Sequence, residues 1–455
     1  MTRALTKDFA YLQSKLEARL AGWRSKCLSW AGIRTLITSV TQTIPIYARS
    51  TFNIPNKVCN NLDSLTRRFW WKPKNQEGNF LAWRSWDKLC FPKKQGGLGF
   101  RKFKEVNNAL LAKLAWMIAS KRDSLCMSIL RAKYKISKNW LYTDSSKRAS
   151  PIWKAIEQAK NIVVKGACYI IKDGTTINVW QDPWVPWIQG FIPSPRDATV
   201  TQSPLLVCQL FDLVLLCWKT DLVKVLFDTP SAQAILSISV PSKPSPSKLI
   251  WAPDSKGCFS VKSAYLAGHD TTSLTPPSGI NWNKLWQLKI LETTKMFLWR
   301  LGVNALPTRE NLRSPLQIDD PNCVFYKEEV ETPCHLFLGC LASKSLWFAA
   351  CWGLKTEFLV SNQPEDIIKW VLDRLNYPDG QHQQGQVSLI MALTLEEIWQ
   401  SRNNSFFHNA TWDVPNSIHL IHRKAQEFSS VLAPLALLSL VLVNNSGHPL
   451  WVRSN

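Results

Sequence analysis

Three residues of types that bind zinc lie within eighteen positions of the chain: Cys323, His335 and Cys340. A structural zinc site takes four nitrogen or sulfur ligands in a tetrahedron. The spacing Cys-x2-Cys-x8-His-x4-Cys would supply all four, but its second cysteine position holds Tyr326. Because a neutral phenol is a poor zinc donor at neutral pH, the sequence predicts a zinc-knuckle-like module with one ligand replaced.

Three arrangements are open to such a module. Cys334 is a substitute ligand, although it directly precedes His335, and consecutive side chains diverge on a helix or a strand. Three protein ligands plus water form an open site, the geometry of catalytic zinc, but no base lies nearby to use it. Apolar packing without a metal is the third arrangement, and its residues are Leu336, Phe337, Leu338, Leu341 and Trp347.

The positive charge of the chain is concentrated in its first third. Residues 1–150 contain 29 Lys and Arg against 8 Asp and Glu, whereas the remaining residues contain 26 against 25. Such an imbalance indicates a part that binds polyanions next to a nearly neutral part. A basic face without a specific partner is the alternative. The predicted nucleic-acid contacts are Arg67, Arg68, Lys72, Lys74, Lys93, Lys94, Arg101, Lys102 and Lys104.

Aromatic residues alternate with these cations, among them Trp70, Trp71 and Trp86. An exposed ring would stack on a nucleic-acid base, but most of the 23 tryptophans are expected to pack in cores. The Gly96-Gly97-x-Gly99 sequence lacks the spacing of a phosphate loop and indicates a tight turn.

The cysteines and the apolar runs bear on the cellular setting. Twelve cysteines are scattered, and Met1 to Leu20 is charged and amphipathic rather than a signal peptide. Such cysteines indicate reduced thiols of an intracellular protein. The longest mostly apolar run, Val431 to Val443, is shorter than the ~20 residues of a membrane span. We therefore expect no contact with a membrane.

Helical periodicity dominates, so we predict a mainly α fold with small β-hairpins (α+β). One hairpin is predicted to turn at Asp173-Gly174, and a second at Asp254 to Gly257, before a helix that Ser260 caps. The apolar face of the first predicted helix comprises Phe9, Leu12, Leu16, Leu20 and Trp23.

Nine motifs follow one another in order along the chain. They are WRSKCLSWAGIRTLITSV, IPIYARSTFNIP, RRFWW, LAWRSWDKLCFPKKQGGLGF, NNALLAKLAW, IKDGTTINVWQDPW, GCFSVKSAY, WNKLWQLKILETTKMFLWRLGVNALPT and IWQSRNNSFF. Together with the Cys/His cluster, the chain from about residue 9 to 410 resembles the downstream half of plant LINE-type (non-LTR) retrotransposon polyproteins. That half runs from the thumb side of the reverse transcriptase through its zinc-binding domain.

The resemblance implies a role for each region. It carries zinc-ligand roles onto Cys323, His335 and Cys340, with zinc as the cofactor. It also implies that the basic region is thumb-like and follows the minor groove of the template–primer, with RNA or DNA phosphates as its partners. The implied domains are a basic helical thumb-like region at 1–150, a small mixed hairpin-containing region at 151–240, a linker at 241–247, a reverse-transcriptase zinc-binding-like domain at 248–352 and a helical C-terminal extension at 353–455.

The carboxylates of the family's catalytic centres find no counterpart in the sequence. Related polymerases hold Mg²⁺ with a Tyr-x-Asp-Asp turn, whereas Asp319-Asp320 precedes the Cys/His cluster without a strand pattern and indicates an ordinary turn. An RNase H domain needs several carboxylates, and residues 411–455 contain only Asp413 and Glu427. We therefore expect a protein that is not an enzyme.

The leading interpretation is a truncated retrotransposon-derived protein that binds nucleic acid largely independently of sequence. We expect it inside the cell, in the nucleus. One alternative is a domesticated interaction or structural module whose tryptophan-rich surfaces bind a protein partner. The other is a translated pseudogene without a selected function.

Overall fold

A computed structural model of the 455-residue chain describes most of its length. The described residues are 6–24, 26–44, 46–74, 78–137, 140–143, 149–197, 204–212, 215–240, 245–269, 279–350, 353–359, 363–373 and 381–428. The apolar run Val431 to Val443 lies outside them, as do residues 241–244 of the predicted linker.

Helices form most of the described structure, which confirms the mainly α prediction. In chain order they are α1 (Ala10–Arg24), α2 (Trp30–Leu36), α3 (Ile46–Thr51), α4 (Asn56–Trp71), α5 (Trp86–Cys90), α6 (Phe103–Ala119), α7 (Leu125–Lys133), α8 (Pro151–Gln158), α9 (Lys160–Val164), α10 (Thr220–Leu226), α11 (Thr229–Leu236), α12 (Val261–Gly268), α13 (Trp282–Gln287), α14 (Glu292–Gly302), α15 (Arg309–Leu316), α16 (Leu341–Ala350), α17 (Pro364–Asp373), α18 (Gln381–His408) and α19 (414–428).

The described residues also form four short strands. They are β1 (Ala167–Ile170), β2 (Phe211–Asp212), β3 (Cys217–Trp218) and β4 (Lys248–Trp251). β2 and β3 form a small antiparallel hairpin, and β1 pairs antiparallel with the distant β4. The hairpin predicted at Asp173-Gly174 is therefore wrong, because the strand before that turn finds its partner about eighty residues later.

Tertiary contacts of the turn explain the difference. The Asp173 carboxylate accepts hydrogen bonds from the Thr175 N–H at 3.3 Å and from the Ser247 hydroxyl at 3.2 Å. Gly174, at φ 64°, approaches Cys208 so closely that a Cβ would lie 2.8 Å from the Cys208 backbone nitrogen. The turn thus joins β4 and the 208 region, and residues 177–179 bond to 205–207 instead of to β1.

The second predicted turn and its cap are confirmed, but the hairpin predicted there is wrong, because β4 pairs with β1 and the described residues between the turn and α12 form no strand. The Gly257 N–H donates to the Asp254 carbonyl at 2.9 Å, and the Ser260 hydroxyl accepts from the Ser263 N–H at 3.1 Å at the start of α12. Such a cap satisfies one of the N–H groups that a helix leaves unpaired.

The chain divides into two compact units, each built from three stretches. Unit 1 comprises 1–19, 41–65 and 101–274, and unit 2 comprises 20–40, 66–100 and 275–455. In unit 1, α6 is the central helix, and its buried face packs against α8, α9 and α12. The buried Asn107 side chain bonds to the Arg49 and Phe52 carbonyls and to the Ile54 N–H, which fixes the turn after α3.

An aromatic cluster forms much of the core of unit 2. The fully buried Trp70 ring lies 4.9 Å from Trp30, 5.4 Å from Phe100 and 6.4 Å from Trp299, measured between ring centroids in edge-on geometry. Edge-on pairs place the positive edge of one ring against the negative face of the next. This confirms the expectation that these tryptophans are structural.

Within the described residues, none of the helices has both the length and the apolarity needed to cross a membrane. The cysteines of this part of the chain form no disulfide.

Candidate metal centre and nucleic-acid contacts

The first half of the Cys/His cluster is a closed loop that begins at Cys323. The Lys327 N–H donates to the Cys323 carbonyl at 2.9 Å, and the Cys323 N–H donates to the Glu329 carbonyl at 2.7 Å. Lys327 takes a left-handed φ of 57° to make the turn. These bonds hold the Cys323 side chain in one orientation.

The second half is a short π-helical turn, His335–Gly339. The Thr332 hydroxyl accepts from the His335 N–H at 2.9 Å, and the Cys340 N–H donates to the His335 carbonyl at 2.7 Å. The two halves together bring one ligand atom each of Cys323, His335 and Cys340 within 4.8 Å of one another.

The two thiols lie at the separation expected of two ligands of one zinc ion. Cys323 Sγ and Cys340 Sγ are 3.9 Å apart, and zinc–sulfur bonds of about 2.3 Å at a tetrahedral angle put two sulfurs about 3.8 Å apart. Backbone N–H groups of Phe325 and Tyr326 donate to Cys323 Sγ. The N–H groups two and three residues after Cys340 donate to its sulfur in the same way. Such bonds stabilise thiolates, the form that binds metal.

The two thiols share a proton in this arrangement. A hydrogen bond from the Cys340 thiol, then one from His335 and then those from the backbone amides, lowers the pKa of Cys323 against the opposing effect of burial. The same interaction, together with burial, raises the pKa of Cys340. The shared hydrogen bond therefore favours the thiolate at Cys323 rather than at Cys340.

Glu329 orients the histidine of the cluster. The Glu329 carboxylate lies 2.6 Å from His335 Nδ1, so Nδ1 carries a proton and Nε2 is the nitrogen that a metal would bind. Nε2 is buried, and interaction with Cys323, followed by Glu329, raises the pKa of His335. A buried ring nitrogen beside two thiols fits a metal ligand, so these three residues fit a zinc ion.

The fourth ligand is the weak point of the site. The Tyr326 side chain is 47% exposed, although its backbone N–H takes part in the loop. Among the described residues, the cluster of ligand atoms contains Cys323, His335 and Cys340 but not Cys334. The structure therefore gathers three ligands of the predicted set.

A buried ion pair fastens this cluster to the long helix α18. The Arg402 guanidinium donates to the Glu331 carboxylate, with Nη2–Oε1 at 2.6 Å, and both residues are at most 1% exposed. The Arg309 N–H donates to the same carboxylate at 2.9 Å. Beyond α18, the Trp412 ring lies 4.6 Å from the Phe325 ring and covers the sulfurs.

The nine predicted nucleic-acid contacts fall in both units, six in unit 2 and three in unit 1. In unit 2, Arg67 and Arg68 lie over the Phe80 ring at 5.8 and 5.3 Å, and Lys72 donates to the Asn79 carbonyl at 3.4 Å. These three cations thus hold the loop before Phe80. Lys74 and Lys94 are exposed.

The remaining predicted cations differ in their surroundings. In unit 1, Arg101 is exposed and lies 5.9 Å from the Tyr265 ring, and Lys102 pairs with Glu105 at 3.5 Å. Lys104 donates to the Asn53 side chain and to the Ile54 carbonyl. It lines an open cleft of about 480 Å³ whose other walls carry asparagines and Lys165. Lys93, in unit 2, lies over the Trp286 ring.

The Asp319-Asp320 pair behaves as the predicted turn. Asp320 accepts from the Asn322 N–H at 3.0 Å and from the Arg309 guanidinium at 2.8 Å. Its carboxylate therefore stabilises the entry to the Cys323 loop.

Comparison with known proteins identifies the family. Residues 259–347 match the model of the zinc-binding domain in reverse transcriptase. The chain is 28% identical over 394 residues, 84% of its length, to the Arabidopsis thaliana protein named "Putative ribonuclease H protein", and it spans 61% of that relative. It is 32% identical over 143 residues to an "Uncharacterized mitochondrial protein" of Arabidopsis thaliana, 92% of which is covered.

Proposed function

Because the chain belongs to the family of plant retroelement reverse transcriptases and carries their zinc-binding domain, we propose that it binds RNA or DNA through the phosphate backbone, without a polymerase centre of its own. Phosphates are the same in every sequence, so such binding is largely independent of base sequence.

The charge of residues 1–150 is the observation that carries this proposal. A balance of +21 in that region exceeds what internal ion pairs can neutralise, because only 8 carboxylates are present there. Lysines and arginines that reach phosphates release condensed counterions, which drives binding. The exposed Lys74, Lys94 and Arg101 are suited to this role.

The Cys/His cluster would hold zinc in this function. Bound zinc supplies a structural cross-link between the loop at Cys323 and the turn at His335. The residues of the chain do the rest: Glu329 fixes the histidine tautomer, and backbone amides hold the two thiols. With Tyr326 at the fourth position, we propose that solvent completes the coordination.

We also propose that the chain does not polymerise and that it acts in the nucleus. The Asp320 carboxylate, engaged with Arg309 and the Asn322 N–H, has the contacts of a structural residue. A nuclear location follows from the basic charge and from the activity of such elements on DNA.

Binding of the full-length protein to labelled RNA–DNA and DNA duplexes, followed by fluorescence anisotropy over a salt series, tests the proposal. We expect log K to fall linearly with log salt, with a slope of about −0.9 for each phosphate contact. The matched control ligand is a duplex with an uncharged peptide backbone, which should not bind.

Absence of binding at low salt would overturn the proposal, as would equal affinity for the uncharged control. Salt-insensitive self-association in the same samples would favour the protein-interaction alternative instead. Primer extension with Mg²⁺ and nucleotides tests the second part, and any templated product would contradict it.

A further inference from the structure

The loop after Lys93 is fixed against two helices of unit 2. The turn Lys93–Gln95 ends at Gly96, which has a left-handed φ of 80°. The Trp299 indole N–H donates to the Gly96 carbonyl at 3.0 Å, and a Cβ on Gly96 would lie 2.8 Å from Trp282 Nε1. Only glycine fits there. The position of Lys93 is therefore set by α13 and α14, which belong to the second half of the chain.

Two cations from separate segments lie over the Trp286 ring, and a third bonds to its backbone carbonyl. Lys93 Nζ lies 4.2 Å from the ring centroid, and the Arg34 guanidinium of α2 lies 5.7 Å from it. Lys295 of α14 donates to the Trp286 carbonyl at 3.2 Å. We call Arg34, Lys93, Lys295 and Trp286 the Trp286 cluster.

The Trp286 cluster carries more positive charge than its surroundings neutralise. Glu292 is the carboxylate that the described residues place beside it, 2.9 Å from Lys295. Arg34 Nε is buried without a hydrogen-bond partner in the described structure. Burial, and then repulsion by Arg34, lowers the pKa of Lys93, and burial lowers the pKa of Arg34 as well.

Such an arrangement lowers the stability of the folded chain when no ligand is bound. Like charges repel, and partly desolvated cations gain little from an indole compared with what an anion would provide. A negatively charged ligand would satisfy the Arg34 fork and relieve the repulsion between Arg34 and Lys93. Both residues are half-buried rather than enclosed, so a ligand can reach them.

We propose that the Trp286 cluster is a phosphate-binding site for a nucleic-acid backbone, with Arg34 and Lys93 as the direct ligands. The inference rests on the proposed function and gives it a location. Residues of the basic N-terminal region and residues of the segment that matches the zinc-binding domain form this one site together. Exposed Lys94, adjacent to Lys93, provides for a neighbouring phosphate of the same strand.

Trp286 is a positioning residue in this proposal. Because Lys93 and Arg34 lie over its ring, the indole holds the two cations at a fixed separation instead of stacking on a base. Its role predicts that an aromatic replacement preserves binding and that an aliphatic one does not.

The test compares two double variants of the full-length protein in the anisotropy assay with a DNA duplex. R34A/K93A removes both proposed ligands, and K88A/R313A removes one exposed Lys and one exposed Arg from the same unit. We expect R34A/K93A to reduce the salt slope by about 1.8, equivalent to roughly a 60-fold loss at about 0.1 M salt. The control K88A/R313A should change neither the salt slope nor the affinity by more than about twofold.

Each outcome decides between the site and the general function. Equal losses in the two double variants would overturn the site and leave the binding function, because net charge alone would explain both. No binding by the unmodified chain would overturn both proposals. Circular-dichroism melting of every variant distinguishes loss of contacts from loss of fold.

Two further arms identify the ligand and the role of the ring. Competition with inorganic phosphate at matched ionic strength should displace the duplex poorly, whereas equal potency per phosphate would show a free-anion site and overturn the backbone assignment. W286F should keep the salt slope of the unmodified protein, and W286L should lower it toward that of R34A/K93A. Equal slopes for W286F and W286L would contradict the positioning role.

Discussion

Unit 2 contains two clusters of polar groups, the Cys/His cluster and the Trp286 cluster, and they suit ligands of opposite charge. The first collects two sulfurs and a buried His335 nitrogen, which suits a cation. The second collects positive charge around an indole, which suits an anion. The ligands of the first come from eighteen consecutive residues, whereas Arg34, Lys93 and Trp286 are far apart in sequence. Polar or charged groups that a fold brings together without satisfying one another therefore mark a site, even where no sequence motif predicts it.

A third group of charges, the buried pair of Glu331 and Arg402, differs from both clusters because its members satisfy one another. Glu331 and Arg402 are as deeply buried as any charges in the described chain, but they satisfy one another with three hydrogen bonds. Such a pair has no capacity left for a ligand. Its role is to attach the Cys/His cluster to α18, which lies outside the family's zinc-binding match.

Breaking this pair should have the largest effect. We expect R402A to lower the free energy of unfolding by about 3–5 kcal/mol, because it leaves the Glu331 carboxylate buried without its partner. Urea titration followed by circular dichroism measures the loss. The double change E331L/R402M should recover most of it, because two apolar side chains carry no unpaired charge.

The matched control for R402A is R423A. Arg423 and Glu427 form an exposed pair at 3.7 Å, and such pairs contribute less than about 1 kcal/mol. Similar losses for R402A and R423A would contradict the structural role given to the buried pair.

Restoring the missing ligand should have the next largest effect. We expect Y326C to raise zinc affinity roughly 100-fold, because a thiolate ligand accounts for about a quarter of the 10–16 kcal/mol of a four-ligand structural site, reduced by rearrangement of the loop. Competition with a chromophoric chelator measures the affinity, and native mass spectrometry the stoichiometry.

C334S is the control for Y326C. Because Cys334 Sγ is not part of the cluster of ligand atoms in the described structure, C334S should retain the affinity of the unmodified protein. Loss of zinc in C334S, with no gain in Y326C, would show that Cys334 is the fourth ligand.

The two clusters differ in how far sequence could predict them. Residue types and spacing point to Cys323, His335 and Cys340 because a zinc site is built from short loops. The nine predicted cations came from local density of charge, and density does not show where a side chain points: Arg68 and Lys72 bond to the loop at 78–79. Arg34 carries no local signal, because its neighbour Trp286 is about 250 residues away.

The sequence separation of interacting residues also decides which parts of the fold could be predicted. Helix α1 and the Ser260 cap depend on residues a few positions apart, and both were predictable. The partner of β1 depends on how Asp173 and Gly174 contact Ser247 and Cys208, which no periodicity encodes. The glycines at 96 and 97 predict a turn, but the Trp282 indole that leaves no room for a Cβ at position 96 comes from α13, and the indole that bonds to the Gly96 carbonyl comes from α14.

The smallest expected effect has the opposite sign to that of R402A. We expect K93M to raise the free energy of unfolding by a few tenths of a kcal/mol at neutral pH, the range of surface substitutions, while it weakens duplex binding. The pKa of Lys93 is lowered in the folded chain, so its charged form is disfavoured by folding. The gain from K93M should be full below the folded pKa of Lys93 and should fade as pH rises through it, since the lysine then becomes neutral.

Urea titrations of K93M and of K88M at neutral and alkaline pH measure this difference. K88M removes an exposed lysine of the same unit and should change stability little at either pH. If K93M were destabilising at neutral pH, Lys93 would be a structural residue like Arg402, and the distinction between satisfied and unsatisfied charges would fail. If it is stabilising, the fold retains Lys93 at a cost, and a cost in stability is what a binding residue shows when its ligand is absent.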